Sequence, residues 1–401
     1  PGLLDAVRAP DFRQPLPPVA ELLAELDRQL NDAGDFQDVL DTTRRWTNER
    51  KFQVGVQQLQ HMADVDVASR ALTDVVDTVL SALLPKVTAA FAEQHGEVAG
   101  GGLAVIGMGK LGGGEMTFGS DLDLIFVYQH AESAEASNGK RPLPPSQYFA
   151  RLSQRVIAAL TALTAAGRLY DVDMRLRPSG NAGPVAVHID GFERYHQAEA
   201  WTWERMALTR ARVVLGPTAL RQQADAVIRA TLTEPRDPVR LLADIAEMRR
   251  RVAREHRSND PWELKHVRGG LLDAEFLAQY LILRHASDAP QVIQGNTAKA
   301  FEALGAAGII TPALAAEMAA AIRFLRTAQA LLRLCYGREY DTTKAPLGIA
   351  PLLVATVGAK TPTDLQRKLL RAERIIGRHF RAMIERPAKP HLDLLTETSK
   401  S

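Results

Sequence analysis

Apolar positions along this chain follow two different periods, and the change between them divides it. In PLPPVAELLAELDRQL, Val19, Leu22, Leu23, Leu26 and Leu30 recur every three or four residues behind a run of prolines. That spacing predicts an amphipathic helix. RALTDVVDTVLSALLPKVTAAFAEQ repeats the pattern with Val75, Val79, Leu83 and Leu84. The glycine-rich EQHGEVAGGG then marks a boundary near residue 100. Beyond it, LAVIGMG and DLDLIFVY are short, apolar and rich in β-branched or aromatic residues, as buried strands are. QYFARLSQRVIAALTALTAAG is expected as a helix with Phe149, Leu152, Val156, Leu160 and Leu163 on one face. RLYDVDMRLR alternates strictly, and GPVAVHI reads as a further strand. After about residue 215 the helical period returns in DAEFLAQYLILRHA, AAAIRFLRTAQALLRLCYG and DLQRKLLRAERIIGRHFRAMIE. The expected class is α+β: a small mixed sheet with helices, flanked by helical regions and mostly α overall.

Composition narrows this only slightly. A length of 401 residues exceeds what one core usually organises, so two or three domains are expected. A net charge of +2 argues for neither nucleic acid nor a membrane surface. No apolar run approaches the ~18 residues that span a bilayer, and no signal peptide is visible. The sole cysteine, Cys335, excludes an internal disulfide and a multi-cysteine zinc site. It is expected as a buried thiol in a reducing compartment. The chain begins at Pro1 rather than Met, so a longer parent polypeptide is expected.

The chemistry concentrates in GMGKLGGGEMTFGSDLDLIFVY, residues 107–128. Alternation puts Asp121 and Asp123 on one face of a strand, with stems ~6.6 Å apart. Two bare carboxylates at a strand entrance repel and lose hydration, a cost that divalent cations remove. The gap suits two ions ~3.5–4 Å apart. In LYDVDMRLRPSG, Asp173 offers a third carboxylate, with Arg175 and Arg177 expected on the same face to hold phosphate oxygens. A solvated strand end or a helix cap accounts for an isolated D-x-D, but not for this combination. The glycine run lacks P-loop spacing because Leu111 follows Lys110. It also lacks the acidic residue that a dinucleotide fold places on its second strand. Phosphate contact through its amides and Lys110, or tight-turn packing alone, both remain open for it.

These residues resemble the DNA polymerase beta-type nucleotidyltransferase superfamily: glycines at 107 and 109, Asp121-x-Asp123, and a third carboxylate at Asp173. Met108 and Lys110 stand where the pattern has Gly or Ser, leaving Ser120 as a substitute hydroxyl. GMGKLGGGEMTFGSDLDLIFVY, DVDMRLRPSGNAGPVAV, EAWTWERMALTRARVV and LKHVRGGLLDAEFLAQYLILR together look like the bacterial glutamine synthetase adenylyltransferase/adenylyl-removing family. The resemblance implies an N-terminal helical region (1–98), a nucleotidyltransferase catalytic domain (99–215) and a C-terminal helical bundle (216–401). It implies two Mg²⁺ ions on Asp121, Asp123 and Asp173, which are also the catalytic residues. ATP would be held by Gly107, Gly109, Lys110, Gly119, Ser120, Arg175 and Arg177. Its implied partners are glutamine synthetase as protein substrate, the PII signalling protein as regulator and glutamine as effector, with no nucleic acid and no membrane. The implied compartment is cytoplasmic.

That family carries an adenylylating and an adenylyl-removing half. RPSGNAGPV with Ser179, EAWTWE and the opening PGLLDAV resemble the adenylylating one. The removing half and a non-catalytic regulatory module are the alternatives. WTWERMALTRAR is expected as a packing helix and EMRRRVAREHR as a solvated basic face. Lys265, Asp273 and Glu275 are further candidates to reach the nucleotide.

Overall fold

The computed structural model describes residues 10–256, 260, 262–337 and 348–391. PGLLDAV and Arg257 lie outside them. The chain divides into two compact units, 1–199 with 211–227 and 200–210 with 228–401.

The first unit opens with α1 (Val19–Asn31), α2 (Phe36–Leu59) and α3 (Val65–His95). Side chains start two of these helices. Asp35 accepts from the Asp38 amide at 2.9 Å, and Asp64 accepts from those of Asp66 and Val67 at 2.9 Å each, meeting amides that have no partner within the helix. Contrary to the expectation that no apolar run approaches that length, α3 is by length and composition apolar enough to cross a membrane. Most of it is buried inside the protein, where Val75, Val76, Val79, Leu80 and Leu83 are at most 1% exposed, so it is a core helix.

The sheet follows, with β1 (Gly102–Gly107), β2 (Leu122–Gln129), β3 (Val172–Asp173), β4 (Ala186–His188) and β5 (Arg212–Leu215). Its order is β3-β2-β1-β5, with β4 also on β2. β1 runs antiparallel to β2 and β5, whereas β3 and β4 run parallel to β2 along one edge. β1 is buried throughout and β2 nearly so, which explains their continuous apolar sequence. A five-residue helix, α4 (Gly109–Gly113), joins β1 to the loop before β2, and α5 (Pro145–Thr161) packs alongside. The helices and the sheet share one core that runs from Leu22 to Ala186.

Two local expectations change. α5 ends at Thr161, two residues before Leu163, which is 76% exposed rather than buried on the helix face. Strand β3 stops at Asp173 because the chain turns there, the Arg177 amide bonding to the Met174 carbonyl at 3.2 Å.

Three more short elements follow in the chain: α6 (Ile189–Arg194), α7 (Thr202–Leu208) and α8 (Thr218–Thr233), with the division between units falling inside α8. The second unit contains α7 and, beyond α8, α9 (Pro238–Glu255), α10 (Leu271–His285), α11 (Thr297–Ala306), α12 (Pro312–Tyr336), α13 (Ala350–Thr356) and α14 (Pro362–Phe380). The three C-terminal helical patterns fall on α10, α12 and α14. Cys335, in the last turn of α12, is exposed, because the helix turns that position away from the core.

Candidate active site

Strand pairing assembles the acidic edge. Leu122 stands opposite Val172 and Asp123 opposite Asp173 in parallel register, held by the Leu122 amide on the Asp171 carbonyl at 2.9 Å. Residues abreast on neighbouring strands point to the same face, so the two carboxylates share it, and Asp121 joins them by alternation. Leu122 and Leu124 on the other face are fully buried.

The glycine segment crosses this edge at short range. The Met108 amide donates to the Asp123 carbonyl at 2.9 Å. At Gly109 the backbone has φ +54°, and a Cβ there would lie 2.5 Å from Asp123 Oδ2. Only glycine combines that conformation with that approach. Gly107 closes β1, where a Cβ would meet the Leu111 side chain at 2.8 Å. Lys110 Nζ reaches Thr117 Oγ1 at 3.4 Å, so its charge is tethered to the loop before Asp121. Gly119 turns that loop with φ +68°. The buried Ser120 hydroxyl accepts from the Thr117 amide at 3.2 Å and pairs with Thr117 Oγ1 at 2.8 Å, which braces the loop.

The two arginines separate. Arg175 clamps Asp173, its Nε donating to Oδ1 at 3.0 Å and to Oδ2 at 2.8 Å, and its Nη2 to Oδ2 at 2.5 Å. Asp173, and further off Asp123 and Asp121, strengthen its hold on the proton. Arg177 is buried and donates to the carbonyls of Met174 at 2.8 Å, Gly183 at 3.3 Å and Asn181 at 3.4 Å. It stitches the 174–183 loop because the turn after Asp173 breaks the alternation that would have aligned it with Arg175. Among the described residues, no three His, Cys, Asp or Glu side chains converge into a ready ion-binding cluster. The donors at this edge are nonetheless all carboxylate oxygens, the chemistry Mg²⁺ favours.

The helical unit uses its conspicuous residues internally. Asp273, 1% exposed, forms an ion pair with the buried Arg249 and accepts from the Gly269 amide at 2.6 Å. Glu275 pairs with Arg210 at 2.9 Å. Arg249 thus departs from the expected solvated face, while Arg251 and Arg254 on the same helix pair with Glu247 at 3.4 and 2.9 Å. In α7, the Glu204 carboxylate accepts from the Trp201 amide at 2.9 Å and starts the helix.

The profile of the glutamate-ammonia ligase adenylyltransferase family matches residues 1–227, and that of GlnD PII-uridylyltransferase matches residues 240–384. The chain is 40% identical over 384 residues to the bifunctional glutamine synthetase adenylyltransferase/adenylyl-removing enzyme of Rhodopseudomonas palustris strain TIE-1, covering 96% of this chain and 39% of that protein. The protein of the same name from Xanthobacter autotrophicus is 40% identical over 390 residues, covering 97% and 39%. The one from Mesorhizobium japonicum is 41% identical over 355 residues, covering 88% and 36%. The chain therefore spans about two fifths of the length of these relatives. It belongs to the glutamate-ammonia ligase adenylyltransferase family and is a nucleotidyltransferase enzyme domain.

Proposed function

We propose that this chain transfers AMP from ATP to a tyrosine hydroxyl of glutamine synthetase and releases pyrophosphate. The observation that carries the reading is Asp123 abreast of Asp173 with the glycine turn packed onto the Asp123 carboxylate. The relatives' names supply the protein substrate and leave two reactions, adenylylation and its removal. RPSGNAGPV with Ser179 and EAWTWE favour adenylylation, by their resemblance to that half of the family.

Asp121, Asp123 and Asp173 would hold two Mg²⁺ ions, whose chemistry is to neutralise phosphate charge and acidify the attacking hydroxyl. The protein's own work is positioning and charge complementarity. The Gly107–Gly109 backbone lets the triphosphate approach the strand end closely. Lys110 supplies a cation on a loop braced by Thr117 and Ser120. Arg175 exchanges its Asp173 partner for phosphate oxygens, and the freed carboxylate is the group to accept or orient the tyrosine proton. Residues 99–215 carry these groups and form the catalytic domain of this reading. The PII signalling protein and glutamine are its regulator and effector, and the cytoplasm its compartment.

The test incubates the protein with unmodified glutamine synthetase, Mg²⁺ and ATP labelled on the α-phosphate. AMP should appear on the target with release of pyrophosphate. Asp123→Asn should lower the rate at least about a hundredfold with an unchanged unfolding midpoint. Absence of transfer by the wild-type chain would overturn the proposal. Phosphate-dependent loss of AMP from modified target would instead assign the removing reaction.

A further inference from the structure

We propose that the exposed face of α14 in the second unit is a docking surface for an acidic helical segment of a partner protein. Helix α14 packs on α10, α12 and α13, burying Leu365, Leu369, Ala372, Ile376 and Phe380. Its other side carries Arg367, Arg371, Arg374 and Arg378, and helical backbone continues through Arg381. Alternate steps of four and three residues keep all five stems on one face, in a row ~21 Å long. All five residues are exposed.

The fold makes little use of these charges. Arg367 pairs with Asp364 at 3.1 Å and Arg378 with Glu317 at 2.6 Å, and both guanidinium groups stay largely exposed. Surface pairs of this kind contribute little. Arg374 donates to the Leu370 carbonyl of its own helix at 3.0 Å. Among the described residues, no carboxylate pairs with Arg371, Arg374 or Arg381. Like charges three and four residues apart work against a helix, and an anionic partner would relieve that repulsion. Lys368, one position off the row, is by contrast tied to the Val357 and Gly358 carbonyls at 3.3 and 2.6 Å.

The chemistry beside the row selects a protein over a polyphosphate. Leu370 lies one turn from Arg374 and is 41% exposed, although α14 buries its other two leucines. Arginine beside an exposed aliphatic side chain is the composition of a protein interface, whereas a phosphate backbone gives the leucine nothing to cover it. Asp364 and Glu317, paired to members of the row, would repel a polyanion running along it. The net charge of +2 supplies no field to gather one. A helix bearing a carboxylate on each turn repeats at the spacing of the row, so Arg371 and Arg374 could each take one in a forked pair.

Fluorescence anisotropy with the whole chain tests this. The probe is a labelled helical peptide of about 18 residues with Glu on each turn of one face and Leu beside them. Its control has Lys in place of every Glu. The Glu peptide should bind and the Lys peptide should not. Arg371→Glu combined with Arg374→Glu should weaken binding at least about tenfold, with an unchanged unfolding midpoint. Arg371→Gln combined with Arg374→Gln should weaken it by a smaller factor. Arg28→Glu combined with Arg229→Glu changes the net charge equally at exposed positions of α1 and α8 and should bind like the wild type. Leu370→Ser should weaken binding with no change in charge. Equal losses in the two Glu double variants, or a loss in neither, would overturn the proposal and leave a solvated basic face. Tighter binding of single-stranded oligo(dT) than of the Glu peptide would overturn it too, and would assign the face to nucleic acid.

Discussion

At residue 109 the backbone meets the acidic edge, since a side chain there would stand 2.5 Å from the Asp123 carboxylate at a φ of +54°. Gly109→Ala should cost about 1 kcal/mol through the left-handed conformation alone and should displace Asp123 as well. The expected result is a modest fall in the urea midpoint with a disproportionately large loss of AMP transfer. A variant that transfers AMP normally would remove the glycine from the site. The glycine run was legible in sequence as a conspicuous feature, but its target was not. Nothing local says that residue 109 lies over a carboxylate fourteen positions later. Arg177 teaches the converse. Its spacing from Asp173 fitted a strand, and a turn at Met174 sent its guanidinium to backbone carbonyls instead.

Among the elements, α2 escaped the apolar pattern, and its burial explains why. Its inward positions include Thr43, Arg44, Thr47, Gln53, Gln57 and Gln58, so no hydrophobic stripe marks the buried face. Arg44 is fully buried and donates to the carbonyls of Leu40, Ala159, Ala162 and Gly167 at 2.7–2.9 Å. It thereby ties α2 to the end of α5 and the turn before β3. Arg44→Met should destabilise the protein by about 2–4 kcal/mol, since several carbonyls lose their donor inside the core. Chemical denaturation reads that loss directly, and a change within experimental scatter would show that water replaces the guanidinium.

For the molecule as a whole, each compact unit has its own core and its own buried charges. In the second unit, burial, reinforced by the Asp260 charge, pushes Glu373 of α14 up to about 7 from its ordinary 4.5. Between those values the folded state keeps a proton that the unfolded chain has released. Stability from this group is therefore fully present below pH 4.5 and declines as pH rises through about 7. Urea midpoints measured at pH 5 and pH 7.5 should fall more steeply for the wild type than for Glu373→Gln, which cannot ionise. Parallel slopes for the two proteins would show that Glu373 titrates normally. Helix α3 makes the related point for burial. Its composition alone would suit a bilayer, and only its packing against α1, α2 and the sheet identifies it as a core helix.

Taken alone, the sequence determined what depends on neighbours in the chain. The switch from helical to strand period near residue 100, the α+β class, the D-x-D pair and the third aspartate are all local patterns, and local patterns follow backbone geometry. The tertiary structure decided what depends on residues far apart in sequence. It set Asp123 abreast of Asp173, turned Arg175 toward the carboxylates and Arg177 away, and paired Asp273 with Arg249 in a buried bridge. It also brought Lys51 over Tyr170. Register and burial arise from the mutual packing of strands and helices, and no window of sequence contains both partners.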